Sequence, residues 1–521
     1  MVPPDLHPPD PEFARDLSLG RLILAGRSVQ LAGRSPFQVL EGGPDWQAQL
    51  HGFGWLRDLA AAGTSEAAEQ ARKLTRDWLT QIAHLPGITW QPDVLANRIL
   101  AWLSHSGFLL EASEPEFFRS VAVSLGCQIG ALNAARRHTP AGQARLRCLL
   151  ALVMADLTLA GRDLKLERSE ANFLAELQHQ ILPDGGHVSR NADVVLALLL
   201  QLLPLRRCYT ARERAVPAAL TDAIDSMLTF LRAMRRTDGG LAQFNGAGAR
   251  QADVLATVLA FDDGVEALPV ELPASGYVRL ACGQTVLLMD CGAPPPLEFS
   301  GSAQAGCLSF EMSYGTSVIF RNGGYPGAAR ASERPVARAT ASHNTLVLDN
   351  QSSGRLLTSR TIQKICGNAA LVEPGTVTMR YSEVFGARAI EASHDGYARA
   401  HQLIHKRRFE MSADGSRLEA VDQLGPRSGV LRLGRDVPFA IHFHLAAGIS
   451  AELNADRKSV TLAVPGEPGW QLAATGVDVL IESGNTFDDA APSGHTGAQI
   501  VLRGTCPGEA TVKWTLEMLA T

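Results

Sequence analysis

The spacing of apolar residues changes near residue 265, and that change constrains what this chain can fold into. Before it, apolar side chains recur every three to four residues, the period of an amphipathic helix. Glu114 to Arg137 shows it well, with Phe117, Phe118, Val121, Leu125, Ile129 and Leu132 on one stripe. Ser113 and Glu116 have the spacing of a capping box, and Pro115 falls in the first turn. The same period predicts helices over 65–82, 92–111, 143–160, 166–181, 192–206 and 215–235, and a shorter one near 251–261. Short Gly, Pro or Asp links between them imply antiparallel helix pairs. After about 270 the pattern turns strand-like. Tyr277 to Asp290 reads as two strands around Gly283. Leu308 to Met312 and Ser317 to Arg321 flank Tyr314-Gly315, and Arg407 to Met411 and Arg417 to Val421 flank Asp414-Gly415. The expected fold is α+β and multidomain: a helical α/α domain over 1–265, then an antiparallel β-sandwich over 270–521.

Composition narrows the partners. The net charge is −5 and no Lys/Arg run occurs, so nucleic acid is not the expected partner. The longest apolar stretch, Val194 to Leu205, is interrupted by Gln201 and Pro204. It falls short of the roughly 20 residues a membrane span needs and reads as a buried helix. The first residues, Met1-Val-Pro-Pro-Asp, show no basic segment leading into an apolar one, so no export signal is visible. The eight cysteines form no C-x-x-C pair, which argues against a zinc module or disulfide framework and fits a reducing compartment. No metal and no cofactor is expected.

Chemistry-bearing residues cluster in a few segments. Asp184-Gly-Gly-His187 with Ser189-Arg190-Asn191 sets His187, Arg190 and Asn191 at the mouth of a helix, where positive potential and free N–H groups suit an anion. The plainer alternative makes Asn191 an N-cap and His187 a satisfied loop residue. Arg236 to Gly246 repeats the Asp-Gly-Gly turn and carries Asn245. Asp184 and Asp238 then have the look of a glycosidase acid/base pair, although turn chemistry explains both. Trp46, His51, Trp55 and Arg57 put aromatic faces beside polar groups, as a sugar site or as core. In the β half, Arg338 and His343-Asn344-Thr345 lead into a strand, behind a Gly-rich turn at Arg321 to Tyr325. His442 and His444 share a strand face, and His401 and His405 would share one on a helix; neither pair has a third metal ligand at suitable spacing.

Taken in order, these motifs resemble the heparinase II/III-like family, whose members join an α/α toroid to a β-sandwich and include polysaccharide lyases. The likeness rests on Asp184 to Asn191, Ala305-Gly-Cys-Leu-Ser-Phe-Glu311, Asn322-Gly-Gly324, Ser342 to Thr345, His394-Asp-Gly-Tyr397 and His405-Lys-Arg-Arg408 through Asp422. It implies β-elimination on an acidic, uronate-containing polysaccharide. Donors must neutralise the carboxylate, a base must take the C5 proton, and an acid must protonate the leaving oxygen. The matching candidates are Arg190 and Asn191 for the carboxylate, His187 or His343 as base, and Tyr325 or Tyr397 as proton donor. Trp46, His51, Trp55, Arg57, Asn245, Arg338 and Asn344 are candidate substrate contacts.

The departures from the family pattern are specific. Ala192 to Leu196 lacks the Tyr expected after the Asp-Gly-Gly-His turn, and Gly142 to Arg147 lacks an Asn-His pair. Gln304 stands for a His, and Asn322 for an Asp that helps hold zinc in some members. The alternative is therefore a catalytically impaired polysaccharide-binding or biosynthesis-associated protein on the same scaffold. The resemblance implies a cell-envelope or periplasmic setting; the N-terminus leaves a cytoplasmic one open.

Overall fold

A computed structural model describes the chain except for residues 84–86, 249–251, 263, 265–266, 367, 428–435, 488–495 and 521. It packs as two units. The first comprises Met1–Ile181, Ala197–Asp225 and Gly327–Ala329; the second comprises Leu182–Leu196, Ser226–Pro326 and Arg330–Thr521. The Asp-Gly-Gly-His loop and the second Asp-Gly-Gly turn are thus built into the unit that holds the sheets.

Apolar periodicity located the helices closely. They run Ser65–Gln81, Pro92–Ser104, Ser106–Leu110, Pro115–Ala135, Gln143–Thr158, Asp163–Gln180, Ala192–Ala211, Ala218–Ala233 and Ala252–Leu259. One start differs. Pro115 occupies the first helical position, so Glu114 is the N-cap and makes no side-chain cap bond. The capping box expected of Ser113 and Glu116 does not form, and the Ser113 hydroxyl has no partner among the described residues. Ala192–Ala211 is long and apolar enough to cross a bilayer, yet most of it is buried inside the fold, as in a core helix. Short helices at Pro44–Gly52 and Trp55–Ala61 and a hairpin of Arg21–Leu24 with Arg27–Gln30 were not legible from periodicity.

The tryptophans of the first unit form its core. Phe53 lies 4.8 Å from Trp55, 5.6 Å from Trp78 and 5.5 Å from Trp102, ring centre to ring centre, and two of these contacts are edge-on. Trp46 is 0% and Trp55 2% exposed, so neither offers a face for a sugar to stack on. His51 is buried too, with its Nδ1 3.3 Å from the Trp78 indole N–H. Burial and Arg98 pull its pKa down to about 4.

In the second unit the described strands form antiparallel sheets of five, eight and four strands, plus a two-stranded pair. The fold class read from the sequence, an α/α toroid followed by an antiparallel β-sandwich, holds. Hairpins around Gly283, Tyr314-Gly315 and Asp414-Gly415 are present as read. Pairing of the last strand is non-local: Ala510–Met518 inserts between Arg417–Pro426 and Trp470–Thr475. His401 closes a four-residue helix while His405 lies in the strand Leu403–Met411, so the two do not share a helix face.

Inside the eight-stranded sheet a polar chain crosses an apolar core. The Gly396 N–H donates to His394 Nδ1 at 3.1 Å, His394 Nε2 meets His405 Nδ1 at 3.3 Å, and His405 Nε2 meets Asp422 at 2.7 Å. Asp422 can only accept, which makes both rings neutral with their Nε2 protonated. Asp422 also takes the Arg407 guanidinium and the Trp514 indole N–H. Every buried donor here has an acceptor, the condition for a polar group in a core.

Candidate functional site

The helix mouth is a structural knot. Asn191 Oδ1 accepts the Asp193 N–H at 2.8 Å, which makes it the N-cap of Ala192–Ala211. Arg190, at φ 62°, turns its guanidinium onto the Asp290 carboxylate and onto the carbonyls of Ser275, Gly276, Gly292 and Ala293. It also lies 4.9 Å over the Tyr277 ring, whose hydroxyl donates to the Arg190 carbonyl. Asn245 Nδ2 completes the knot, donating to Tyr277 Oη at 2.9 Å and Asp290 Oδ2 at 3.0 Å. Arg190 and Asn245 are 6% and 3% exposed. Their polar groups neutralise and orient Asp290, an acid of the protein itself.

His187 sits beside this knot. Its Nδ1 accepts the Ser189 N–H at 3.0 Å, with the Ser189 hydroxyl at 2.7 Å, so the ring proton is on Nε2. A ring in that tautomer donates from Nε2 rather than abstracting a proton there. Burial pulls its pKa down to about 3. Asp184 accepts from Ser275 N–H and hydroxyl, and Asp238 from Arg236 and the Gly240 N–H. Both carboxylates of the glycosidase reading thus fasten turns.

His343 differs. Its Nδ1 faces the Ala339 carbonyl at 2.9 Å and must carry the proton, leaving an Nε2 lone pair with no hydrogen-bond partner among the described residues. The ring is 1% exposed, and burial draws its pKa down to about 4. Around it most polar groups are engaged, although Asn322 Nδ2 and Ser309 Oγ have no hydrogen-bond partner among the described residues. Asn344 donates to the Phe310 carbonyl and accepts from His444 N–H. Asn322 Oδ1 accepts from Asn344 N–H. Gln304 spans the Gly246 N–H and the carbonyls of Gly324 and Ala337. Gln304 and Asn322 stand where the family resemblance implies a His and, separately, a zinc-holding Asp, and their side-chain oxygens each accept a backbone N–H. Among the described residues no group of three or more His, Cys, Asp or Glu converges as metal ligands.

Two cavities bring other expected residues together. In the first unit, Trp55 and Arg57 border a space of about 420 Å³ whose charged lining includes Asp5, Asp58 and Asp93. Arg57 is already paired with Asp5 and Asp58. The carboxylates outnumber it, so this cavity does not attract an acidic polymer. In the second unit, Arg338 and Tyr397 border a cavity of about 610 Å³ together with Arg355, Glu373 and Arg399. Arg338 is 2% exposed and donates to the carbonyls of Ser300, Ala303 and Ala369. Tyr397 is buried with its hydroxyl on the Leu346 carbonyl, and burial raises its pKa. Both build the wall rather than face the space. Tyr325, half-buried 5.5 Å from the Arg334 guanidinium, is not on it.

Arg355, Glu373 and Arg399 escaped the sequence reading. The available signal was local charge, and only for Arg355: 321–364 carries seven Lys/Arg against two Asp/Glu in a chain of net −5, and Glu373 and Arg399 lie beyond it.

Comparison with known proteins agrees with this architecture. The family model described as Heparinase II/III-like, C-terminal matches residues 266–515. FtsZ-localized protein C of Caulobacter vibrioides is 29% identical over 534 residues, covering 99% of this chain and 89% of that protein. A crystal structure of heparinase III superposes with a TM-score of 0.72 at 15% identity, over 93% of this chain and 79% of that one. The heparan sulfate lyase HepC of Pedobacter heparinus, as a mutant, gives 0.67 at 15% identity over 99% and 85%. At such identities the two structures establish a shared fold.

Proposed function

From a chain whose residues 266–515 belong to the heparinase II/III-like C-terminal family, we propose a glycan-binding protein that keeps the polysaccharide-lyase scaffold without performing β-elimination. One observation carries this reading. Arg190, matched to substrate-carboxylate neutralisation, is spent on Asp290 and four backbone carbonyls, while Asn191 gives its side-chain oxygen to a helix cap and keeps only its Nδ2 donors. Without a cationic donor at the C6 carboxylate the C5 proton stays too weakly acidic for a histidine to remove. The test is direct. The protein is incubated with a panel of uronate polysaccharides while absorbance of unsaturated products and retardation in polysaccharide-loaded gels are followed. Retardation with no rise in absorbance is expected; a rise with turnover would sink the proposal.

A lyase reading is favoured by one feature, the Nε2 lone pair of His343, which has no hydrogen-bond partner among the described residues. On that reading His343→Ala abolishes an absorbance signal that the native protein gives.

The setting is carried over from the relative, whose name places it with FtsZ. A fluorescent fusion of this chain is expected to co-localise with FtsZ. Uniform envelope fluorescence would instead favour the periplasmic setting implied by the lyase resemblance.

A further inference from the structure

Three segments of the second unit come together around the 610 Å³ cavity, and each brings one charged side chain. Arg355 begins the strand Arg355–Leu357, Glu373 follows its partner Ala370–Val372, and Arg399 stands in the short helix Ala398–His401. The backbone approaches are close enough to demand glycine. A Cβ on Gly396 would lie 2.2 Å from the Ser353 carbonyl oxygen, and one on Gly354 would lie 2.8 Å from Leu371 and 3.0 Å from Ala305. Asp395 locks the third segment to the second, accepting the N–H groups of Gly375 and Thr376 at 2.9 Å each. The walls are therefore fixed.

The charges on them are not. Arg355 Nε and Arg399 Nη1 reach the same oxygen, Glu373 Oε1, at 3.5 and 3.3 Å. Their side chains are 48% and 67% exposed, and Glu373 is 29% exposed. Two guanidiniums share one carboxylate oxygen at long range, so one positive charge is left over and most of their N–H donors face solvent. Exposed pairs of this length hold weakly, whereas a planar carboxylate or sulfate meeting a guanidinium side-on makes two short charge-assisted bonds. Glu373 stands where an incoming acid would bind.

We propose that Arg355 and Arg399 form a subsite for the acid group of an acidic glycan, with Glu373 as a built-in competitor that the ligand displaces. The proposal rests on the glycan-binding reading above and adds the residues that take the ligand's acid group and the acid that competes with it. It makes opposite demands on neighbouring side chains. Removing the arginines weakens binding, and removing the acid between them strengthens it. A merely structural ion triad predicts no gain from the second change.

The experiment titrates oligogalacturonate, with neutral dextran oligosaccharide as control, into the native protein, Arg355→Gln/Arg399→Gln and Glu373→Gln. Thermal melts with and without sodium sulfate are run in parallel. Binding is expected to fall about ten-fold in the double variant, the loss of one charge-assisted bidentate contact, and to rise several-fold in Glu373→Gln. An unchanged affinity in the double variant, or a loss in Glu373→Gln, overturns the subsite while leaving glycan binding intact. If the native protein binds no oligosaccharide, the glycan reading falls, and the anion site then stands only if sulfate raises the native melting temperature more than the double variant's. An equal sulfate effect overturns it. Both arginines are largely exposed, so the double variant is expected to melt within a few degrees of the native chain.

Discussion

Arg190 lays its guanidinium on the Asp290 carboxylate inside the second unit, a hundred residues away in sequence, with both side chains almost wholly removed from solvent. Burial works against the arginine's charge, and the Asp290 carboxylate together with the Tyr277 hydroxyl reverses that, holding its pKa above the ordinary value. Deleting one partner strands the other as a buried charge, at a cost of roughly 3–5 kcal/mol. Arg190→Ala and Asp290→Asn are therefore expected to lower stability by that amount in urea melts. Arg190→Lys is expected to lose much of it as well, because an ammonium cannot reach Asp290 and four carbonyls at once. Near-native melts for all three would remove the structural role assigned to the pair.

Asn191 allows a cleaner separation of cap from catalytic group. Its side-chain oxygen takes the Asp193 N–H, and aspartate does the same job at an N-cap. Asn191→Ala is expected to cost about 1 kcal/mol, and Asn191→Asp to stay close to the native value. A group that neutralises a substrate carboxylate would tolerate Asp worst of all. Urea melts of the two variants decide which order applies.

The line between what was legible and what was not follows from range. Helix positions and the hairpins at Gly283 and Asp414-Gly415 come from local periodicity and turn chemistry, and they were read within a few residues. The Asn191 cap was one of two open readings, and its local hydrogen bond to the Asp193 N–H shows the cap. The partner of Arg190 was out of reach, since nothing near position 190 points to Asp290. Trp46 and Trp55 stayed open between core and sugar site because an aromatic beside polar residues has the same local pattern in both, and the structure buries them. The Arg355–Glu373–Arg399 group needs three segments brought together by close glycine contacts, and only a charge count hinted at it.

Asp422 should be among the least replaceable acids of the β half. It accepts Arg407 Nε at 2.7 Å and Nη2 at 3.2 Å, His405 Nε2 at 2.7 Å and the Trp514 indole at 2.9 Å, at 1% exposure. Asp422→Asn leaves Arg407 charged and buried without its counter-ion, at roughly 3–5 kcal/mol. Trp514→Phe removes one neutral donor and a little packing, on the order of 1–2 kcal/mol. Chemical denaturation is expected to rank the two in that order, and the reverse ranking would mean that packing, not charge, holds this sheet.

Acid should loosen the second unit well above the range where carboxylates titrate. Burial pulls His187 to about 3, and His343 to about 4. It also takes His444 down to about 3, with His442 beside it pushing the same way. In the unfolded chain each titrates near its ordinary value of about 6.5. Above that pH all three are neutral in both states and contribute no pH dependence. Below it the unfolded chain binds protons that the folded unit refuses, so stability falls with acid until the folded values are reached. Each ring contributes a slope of up to about 1.4 kcal/mol per pH unit in that window. Unfolding free energy is therefore expected to be flat from pH 8 to 7 and to drop steeply from 6.5 to 5. His343→Asn, whose amide N–H is placed to keep the bond to the Ala339 carbonyl, removes one titrating group. Its slope between pH 6.5 and 5 should be shallower by about one proton. Urea melts at half-unit pH steps measure both slopes, and equal slopes would show that His343 takes up a proton as readily in the folded chain as in the unfolded one.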